Sequence, residues 1–295
     1  MEDVSGDVLI IGCGNVGTRL ALRYLQQGRR VCALVRSNHR AAALSALGIT
    51  VVKGDLDQAH SMQALAEILE RASTCFYFVP PPGEGEGDPR VGNLLSVWDR
   101  QHHPGQLIYM GTSGVYGDTG GAWVTEQSPL QPQTDRARRR MLAEQAWREG
   151  AEHLGFALTL LRVGGIYGPD RLPEARLRRG LPVLREQECG YSNRIHVEDL
   201  LRICEACAAQ PADGIRIYNV SDGRPGNMTE YFLAVADALG LPHPPQLSMA
   251  EAREQLSPAM LSYLGESRRM DSHKVWQELG LRPRYPDLAS GLAFL

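Results

Sequence analysis

The sequence predicts an α/β fold in which helices cover both faces of a doubly wound parallel sheet. Two observations carry this. Short apolar runs alternate with helix-period segments through the first half of the 295-residue chain, and the first run empties into three closely spaced glycines. Strands are expected near 7–11, 30–35, 50–53, 74–79, 106–111 and 156–162. Helices are expected near 15–27, 38–47, 60–71, 89–102 and 135–153, each bounded by a Gly, Pro or polar turn.

The first strand, Val8-Leu9-Ile10-Ile11, leads into Gly12-Cys13-Gly14-Asn15-Val16-Gly17, and Leu20, Ala21, Leu22, Tyr24 and Leu25 supply the helix that follows. The three glycines have separate reasons. Gly12 allows the tight turn, Gly14 lets backbone N–H groups approach a pyrophosphate, and Gly17 lets the helix pack close to the strand. This is the dinucleotide fingerprint of a Rossmann sheet, with the pyrophosphate expected on Gly12, Gly14, Asn15, Val16 and Gly17 at the positive end of the helix. The second strand ends Leu34-Val35-Arg36-Ser37, where an acidic residue would accept from a ribose 2′-OH. Arg36, with Ser37 and Arg40, points instead to the 2′-phosphate of NADP, with NAD as the other candidate.

The fourth strand is followed by Pro80-Pro81-Pro82-Gly83-Glu84-Gly85-Glu86-Gly87-Asp88-Pro89, the sharpest composition shift in the chain. Two readings stand for it: a disordered connection, or a lid that orders over a ligand. Residues 1–162 read as the dinucleotide-binding domain. Residues 163–295, broken up by prolines, read mostly as a smaller substrate-facing lobe, with segments near 192–222 returning to the first domain.

Lys plus Arg total 31 against 34 Asp plus Glu, a net charge of −3, so no basic field attracts nucleic acid or anionic lipid, and a small-molecule partner is expected. No apolar run approaches the roughly 18–20 residues of a membrane span, and Met1-Glu2-Asp3 lacks the basic start of a secretory signal. A cytoplasmic location is the expectation. Cys13, Cys32, Cys75, Cys189, Cys204 and Cys207 are scattered as core thiols are. Cys204-x-x-Cys207 reads as helix packing, and no metal site is expected.

Three further stretches carry a family likeness: Lys53-Gly54-Asp55-Leu56-Asp57, Tyr109-Met110-Gly111-Thr112-Ser113-Gly114-Val115-Tyr116-Gly117 and Leu161-Arg162-Val163-Gly164-Gly165-Ile166-Tyr167-Gly168-Pro169. With Arg194-Ile195-His196-Val197-Glu198-Asp199-Leu200, Tyr218-Asn219-Val220-Ser221-Asp222 and Leu279 to Pro286, they occur in the order found in the extended short-chain dehydrogenase/reductases. The chain resembles this NAD(P)-dependent epimerase/dehydratase family over nearly its whole length. The resemblance implies that Asp55 and Leu56 hold the adenine edge, that Val79 and Pro80 run beside the cofactor, and that Thr112 is the catalytic Ser/Thr after the fifth strand. It also implies a mainly structural role for His196 at a strand-to-helix junction.

One departure stands out. Family members carry a Tyr and, four residues on, a Lys at the start of the helix after the fifth strand, with an acidic residue four further along. If Glu144 is that acid, Arg136 stands at the Tyr position and Arg140 at the Lys position, making this an atypical member. A phenol beside an ammonium exchanges the proton that balances hydride transfer, whereas an arginine stays protonated. Arg140 can keep the lysine's positive charge, and Arg136 with Arg140 can present two forks to an anion. Ser113, Tyr116 and Tyr167 are the other candidate proton donors, and the spacing selects none of them.

Two functions follow from this. One is an atypical oxidoreductase or epimerase using NADP, with Thr112 and an unassigned proton donor, on a small polar, sugar-derived substrate. The other is a catalytically silent NADP(H)-binding sensor or scaffold. A homodimer through the segments near 89–102 and 135–153 is a further expectation, with Leu94, Leu95, Val97, Trp98, Met141, Leu142, Gln145 and Ala146 supplying apolar surface; the same leucines could face the sheet as core.

Overall fold

The computed structural model describes residues 7–69, 71–256, 261 and 264–294, so Met1-Glu2-Asp3 lie outside the described residues. Seven strands form the central sheet: β1 (Asp7–Ile11), β2 (Val31–Val35), β3 (Thr50–Lys53), β4 (Ala72–Tyr77), β5 (Gln106–Met110), β6 (Ala157–Val163) and β7 (Ile215–Val220). Their order is β7-β6-β5-β4-β1-β2-β3. β1 pairs with β2 and β4, β2 with β3, β4 with β5, and β5 with β6, all parallel. The chain thus winds outward from β1 in both directions, and β1 with β4 frames the switch point, where ligands collect at the carboxyl ends of strands.

The strands read as apolar runs because the sheet is covered on both faces: all five residues of β1 and of β2 are buried. Helix α1 (Asn15–Gln26) turns Val16, Gly17, Leu20, Ala21 and Tyr24 inward, and α2 (Asn38–Ser45) follows β2. The helix expected near 60–71 is instead a 3₁₀ segment, Ala59–Leu65, followed by the single turn Ala66–Leu69. Ser61 competes with helical bonding there, since its hydroxyl donates to the Gln58 carbonyl and accepts from the Asp55 N–H. Helix α3 (Pro89–Leu95) stops short of residue 102. Beyond it, the Asp99 carboxylate takes the N–H groups of Gln101 and His102 into a turn.

Helix α4 (Asp135–Leu154) buries Ala137, Ala143, Glu144, Trp147 and Ala151. Trp147 packs on Tyr77, Tyr109 and Trp98, at centroid distances of 5.1, 6.5 and 5.6 Å. Leu94 and Trp98 point into this same core, while Leu142 is 38% exposed.

The chain divides into two compact units. The first holds the chain up to Thr112, Asp135–Arg162 and Leu201–Tyr218; the second holds Ser113–Thr134, Val163–Leu200 and the chain from Asn219. The second unit is built from short strand pairs, Gly165–Tyr167 with Arg194–His196, Tyr191–Ser192 with Gly226–Asn227, Val183–Leu184 with Gln246–Leu247, and Trp123–Val124 with Arg269–Met270. Its core includes Tyr167, Leu177, Val183, Tyr231, Phe232, Val235 and Leu292. Among the described residues no helix is long and apolar enough to cross a membrane.

Candidate functional site

The glycine turn sits at the carboxyl end of β1. Gly12 has φ +94°, and a Cβ there would fall 2.8 Å from the Val79 backbone nitrogen, so both conformation and space demand glycine. A Cβ on Gly17 would fall 2.8 Å from the Gly12 carbonyl oxygen, which is why α1 can lie so close to the turn. Around Gly14 nothing lies within 4 Å of a Cβ, so the position is open. Helix α1 has Gly14 as N-cap with no side-chain cap and no acidic residue in its first turn. Its N–H groups and dipole end therefore fit a pyrophosphate. Asn15 is exposed and Val16 buried in that first turn.

Arg40 holds the turn from outside. Its Nε and Nη2 donate to the Cys13 carbonyl at 3.2 and 2.5 Å, and Nη2 also donates to Thr18 Oγ1 at 2.6 Å. Ser37 caps α2 by accepting from the Arg40 N–H. Of the three residues read from the end of β2, it is Arg36 that lines the cavity beside the turn.

A cavity of about 190 Å³ opens beside the turn, lined by Ile11, Gly12, Leu34, Arg36, Gly54, Asp55, Leu56, Asp57, Val79 and Arg90. The aliphatic members suit an adenine ring. Asp55 shapes its own turn, with Oδ1 accepting from the Asp57 N–H at 3.0 Å. Asp57 and Arg90 escaped the sequence reading, since no local pattern signals a pairing across 33 residues. Arg90 donates from Nε and Nη2 to Asp57 at 2.7 and 3.0 Å, and from Nη1 to the Pro80 carbonyl at 3.1 Å. Arg36 Nη1 lies 3.7 Å from the same carboxylate. The Arg90 hydrogen bonds hold the Asp57 carboxyl below its ordinary range.

The loop after β4 is tied down. Arg139 of α4 donates to the carbonyls of Gly83 and Gly85 at 2.7 and 3.3 Å, and the buried Asp88 caps α3 through the Arg90 N–H. Thr112 lies two residues past β5 and is half-buried. Arg140 donates from Nη1 to the Met110 carbonyl at 3.3 Å, which sets its guanidinium beside the carboxyl end of β5. Burial pushes the neighbouring Tyr109 hydroxyl up to about 12, although Arg140 pulls the other way. Arg136, one turn earlier on α4, is exposed.

The other donor candidates belong to the second unit. Ser113 is buried at the start of the 3₁₀ turn Ser113–Tyr116. Tyr116 donates its phenol to Asn219 Oδ1 at 2.6 Å, and Tyr167 donates to the Asp287 carbonyl at 3.2 Å. His196 ends a strand, accepts from the Glu198 N–H through Nδ1, and stacks 3.9 Å from Tyr285. Cys204 and Cys207 are buried on the helix Val197–Ala209.

The comparisons agree with this geometry. Residues 8–221 match the model of the NAD dependent epimerase/dehydratase family. The dTDP-glucose 4,6-dehydratase of Streptomyces griseus is 27% identical over 205 residues, 65% of this chain and 58% of that protein. The chain spans about half the length of the curated relatives it matches. A functionally unknown conserved protein from Silicibacter pomeroyi superposes with TM-score 0.82 at 29% identity, covering 98% of both chains. The Thermus thermophilus UDP-glucose 4-epimerase in complex with NAD superposes with TM-score 0.76 at 22% identity, covering 97% of this chain and 96% of that one. With the match running from β1 into the last strand of the sheet, the chain belongs to the NAD-dependent epimerase/dehydratase family.

Proposed function

We propose that this chain is an atypical NADP(H)-linked oxidoreductase or epimerase acting on a small polar, sugar-derived substrate. The observation that carries the reading is the pocket beside the glycine turn, where apolar walls end in a rim bearing the Arg36 guanidinium. Gly12, Gly14, Asn15, Val16 and Gly17 would hold the pyrophosphate, Asp55 and Leu56 the adenine edge, Val79 and Pro80 the side of the cofactor, and Arg36 the 2′-phosphate. The bound nicotinamide would supply hydride exchange. Relatives named for dTDP-glucose and UDP-glucose chemistry support a sugar nucleotide as the substrate class.

In this reading Thr112 gives its hydroxyl to the substrate oxygen at the carboxyl end of β5. Arg140, anchored on the Met110 carbonyl, supplies there the fixed positive charge that favours an oxyanion. Arg136 stays protonated and binds an anionic part of the substrate rather than passing a proton. The proton that balances hydride transfer then comes from a group other than the usual phenol.

The test is conversion over a panel of nucleotide sugars and simple carbonyl compounds, with net reduction read from NADPH absorbance and epimerisation, which returns the cofactor to its starting oxidation state, read from NMR of the sugar product. Turnover on at least one member, reduced about a hundredfold or more by Thr112→Ala, is the expected result. Tight NADPH binding with no turnover across the panel would overturn it. NADPH should also bind more tightly than NADH, and Arg36→Ala should erase the difference; equal affinities unchanged by that substitution would remove the NADP assignment.

A further inference from the structure

Two guanidinium groups converge on one carboxylate at the rim of the adenosine-sized cavity. Arg90 grips Asp57 end-on, Nε to Oδ1 at 2.7 Å and Nη2 to Oδ2 at 3.0 Å, while Arg36 approaches Oδ2 at 3.7 Å. All three residues line the same cavity. Their burial differs: the Arg90 side chain is 20% exposed and also donates to the Pro80 carbonyl, whereas that of Arg36 is 69% exposed and makes the longer contact.

A carboxylate between two forks has the form of a phosphate receptor filled by an internal anion, because guanidinium recognises both groups by the same paired N–H donors. We infer that Arg36 and Arg90 together form the receptor for the cofactor's 2′-phosphate, and that Asp57 is its internal counter-ion and the residue that sets how strongly NADPH is favoured over NADH. This rests on the NADP(H) reading of the pocket. It adds Arg90 to the cofactor-binding set and gives Asp57 an opposing role.

The physical consequence is a competition. With Asp57 ionised, two cations face one anion within this cluster, a local net charge near +1, while Asp55 elsewhere in the lining balances the cavity as a whole. A phosphate of about −1.5 to −2 entering beside Asp57 gains the guanidiniums and is repelled by the carboxylate. A neutral ribose 2′-OH meets no such repulsion. Asp57 therefore lowers affinity for NADPH without lowering it for NADH. If the Asp57–Arg90 pair only stapled the loop after β3 to the first turn of α3, its loss would affect both nucleotides alike.

Calorimetric titration of the full chain with NADPH and NADH separates these cases. Asp57→Asn is expected to tighten NADPH about five- to tenfold, the effect of removing one like charge near 6 Å in solvent, and to leave NADH within about twofold. Arg90→Gln is expected to weaken NADPH about tenfold while sparing NADH. An equal change for both nucleotides, or none, in Asp57→Asn overturns the inference. The broader NADP(H) reading fails on a separate result, the indifference of the wild-type NADPH/NADH ratio to Arg36→Ala. Should Asp57→Asn fold poorly, the wild-type protein supplies the measurement. The Arg90 Nε–H resonance is expected to shift with adenosine 2′,5′-bisphosphate and not with 5′-AMP, and identical shifts with both ligands would overturn the assignment.

Discussion

The Arg162 guanidinium meets the Glu144 carboxylate at 3.0 and 3.1 Å, with only 3% and 2% of the two side chains exposed. Glu144 lies on the inner face of α4 and Arg162 on β6, so the pair joins helix to sheet beside the end of β5. Gly111 makes room for it, since a Cβ there would fall 3.0 Å from Glu144 Oε1. Burial pushes the Glu144 carboxyl up, and Arg162 is the largest influence pulling it back.

Breaking this pair should cost far more than an exposed ion pair. Glu144→Gln leaves the guanidinium buried without its counter-charge and is expected to destabilise the protein by about 3–5 kcal/mol, read from urea unfolding. The double change Glu144→Met with Arg162→Met should cost less than Glu144→Gln alone. A Glu144→Gln loss below about 1 kcal/mol would show that the pair is worth no more than a surface bridge.

Gly12 and Gly14 should separate folding from binding. Gly14→Ala meets open space, so stability is expected to stay within about 1 kcal/mol of wild type while NADPH affinity drops tenfold or more, the methyl standing where the pyrophosphate approaches. Gly12→Ala should lose both, because φ +94° and the Val79 backbone leave no place for a Cβ. Unchanged NADPH affinity in Gly14→Ala, by calorimetry, would contradict the pyrophosphate assignment.

The arginines on α4 invite a gain-of-function test. Arg136→Tyr combined with Arg140→Lys supplies the phenol and ammonium that general acid–base transfer uses, and should raise kcat at least about tenfold on any substrate the wild type turns over. NADPH affinity should change little. If kcat does not rise, α4 does not present residue 136 to the reacting atoms.

Arg139 is expected to govern the loop after β4. Its two bonds to the Gly83 and Gly85 carbonyls hold a segment otherwise rich in glycine and exposed acids. Arg139→Ala should speed cleavage at Glu84 and Glu86 by a glutamate-specific protease severalfold, with little change in global stability. Equal cleavage rates would mean that the prolines and the Asp88 cap suffice.

Asp222 gives a pH dependence with a defined sign. Burial, opposed chiefly by a hydrogen bond from the Arg224 N–H, raises its carboxyl from the ordinary 3.8 to about 7. Between about pH 4 and pH 7 the folded protein keeps a proton that the unfolded chain has released, so this group's contribution to stability falls as pH rises and levels off above 7. Asp222→Asn should remove that fall. Its advantage over wild type is expected to be absent at pH 4 and to reach up to about 4 kcal/mol at pH 8. Parallel stability curves for the two proteins would refute it.

Much of the architecture could be read from local pattern. Continuous apolar runs located β1, β2 and β5 closely, because strands buried on both faces leave no polar alternation, and the three glycines at the end of β1 marked a turn that only a residue without a side chain can make. Where side chains compete with the backbone the pattern misled: Ser61 turned an expected helix into 3₁₀ structure, and Asp99 closed a turn inside another.

Long-range pairing decided the rest. From the sequence, Arg36 was the lead candidate for the phosphate, with Ser37 and Arg40 beside it; folding gave Arg40 to the Cys13 carbonyl, used Ser37 as a helix cap, and left Arg36 lining the pocket. Asp57 and Arg90 came together across 33 residues and Glu144 with Arg162 across 18, contacts that no local window encodes. Periodicity and glycine spacing thus pointed to a parallel α/β sheet with a dinucleotide fingerprint, and the order of the longer motifs to the family, since those signals depend on neighbours in the chain. Which charges face the ligand and which hold the fold depended on partners in space, because a guanidinium is committed by the nearest acceptor, wherever along the chain that acceptor lies.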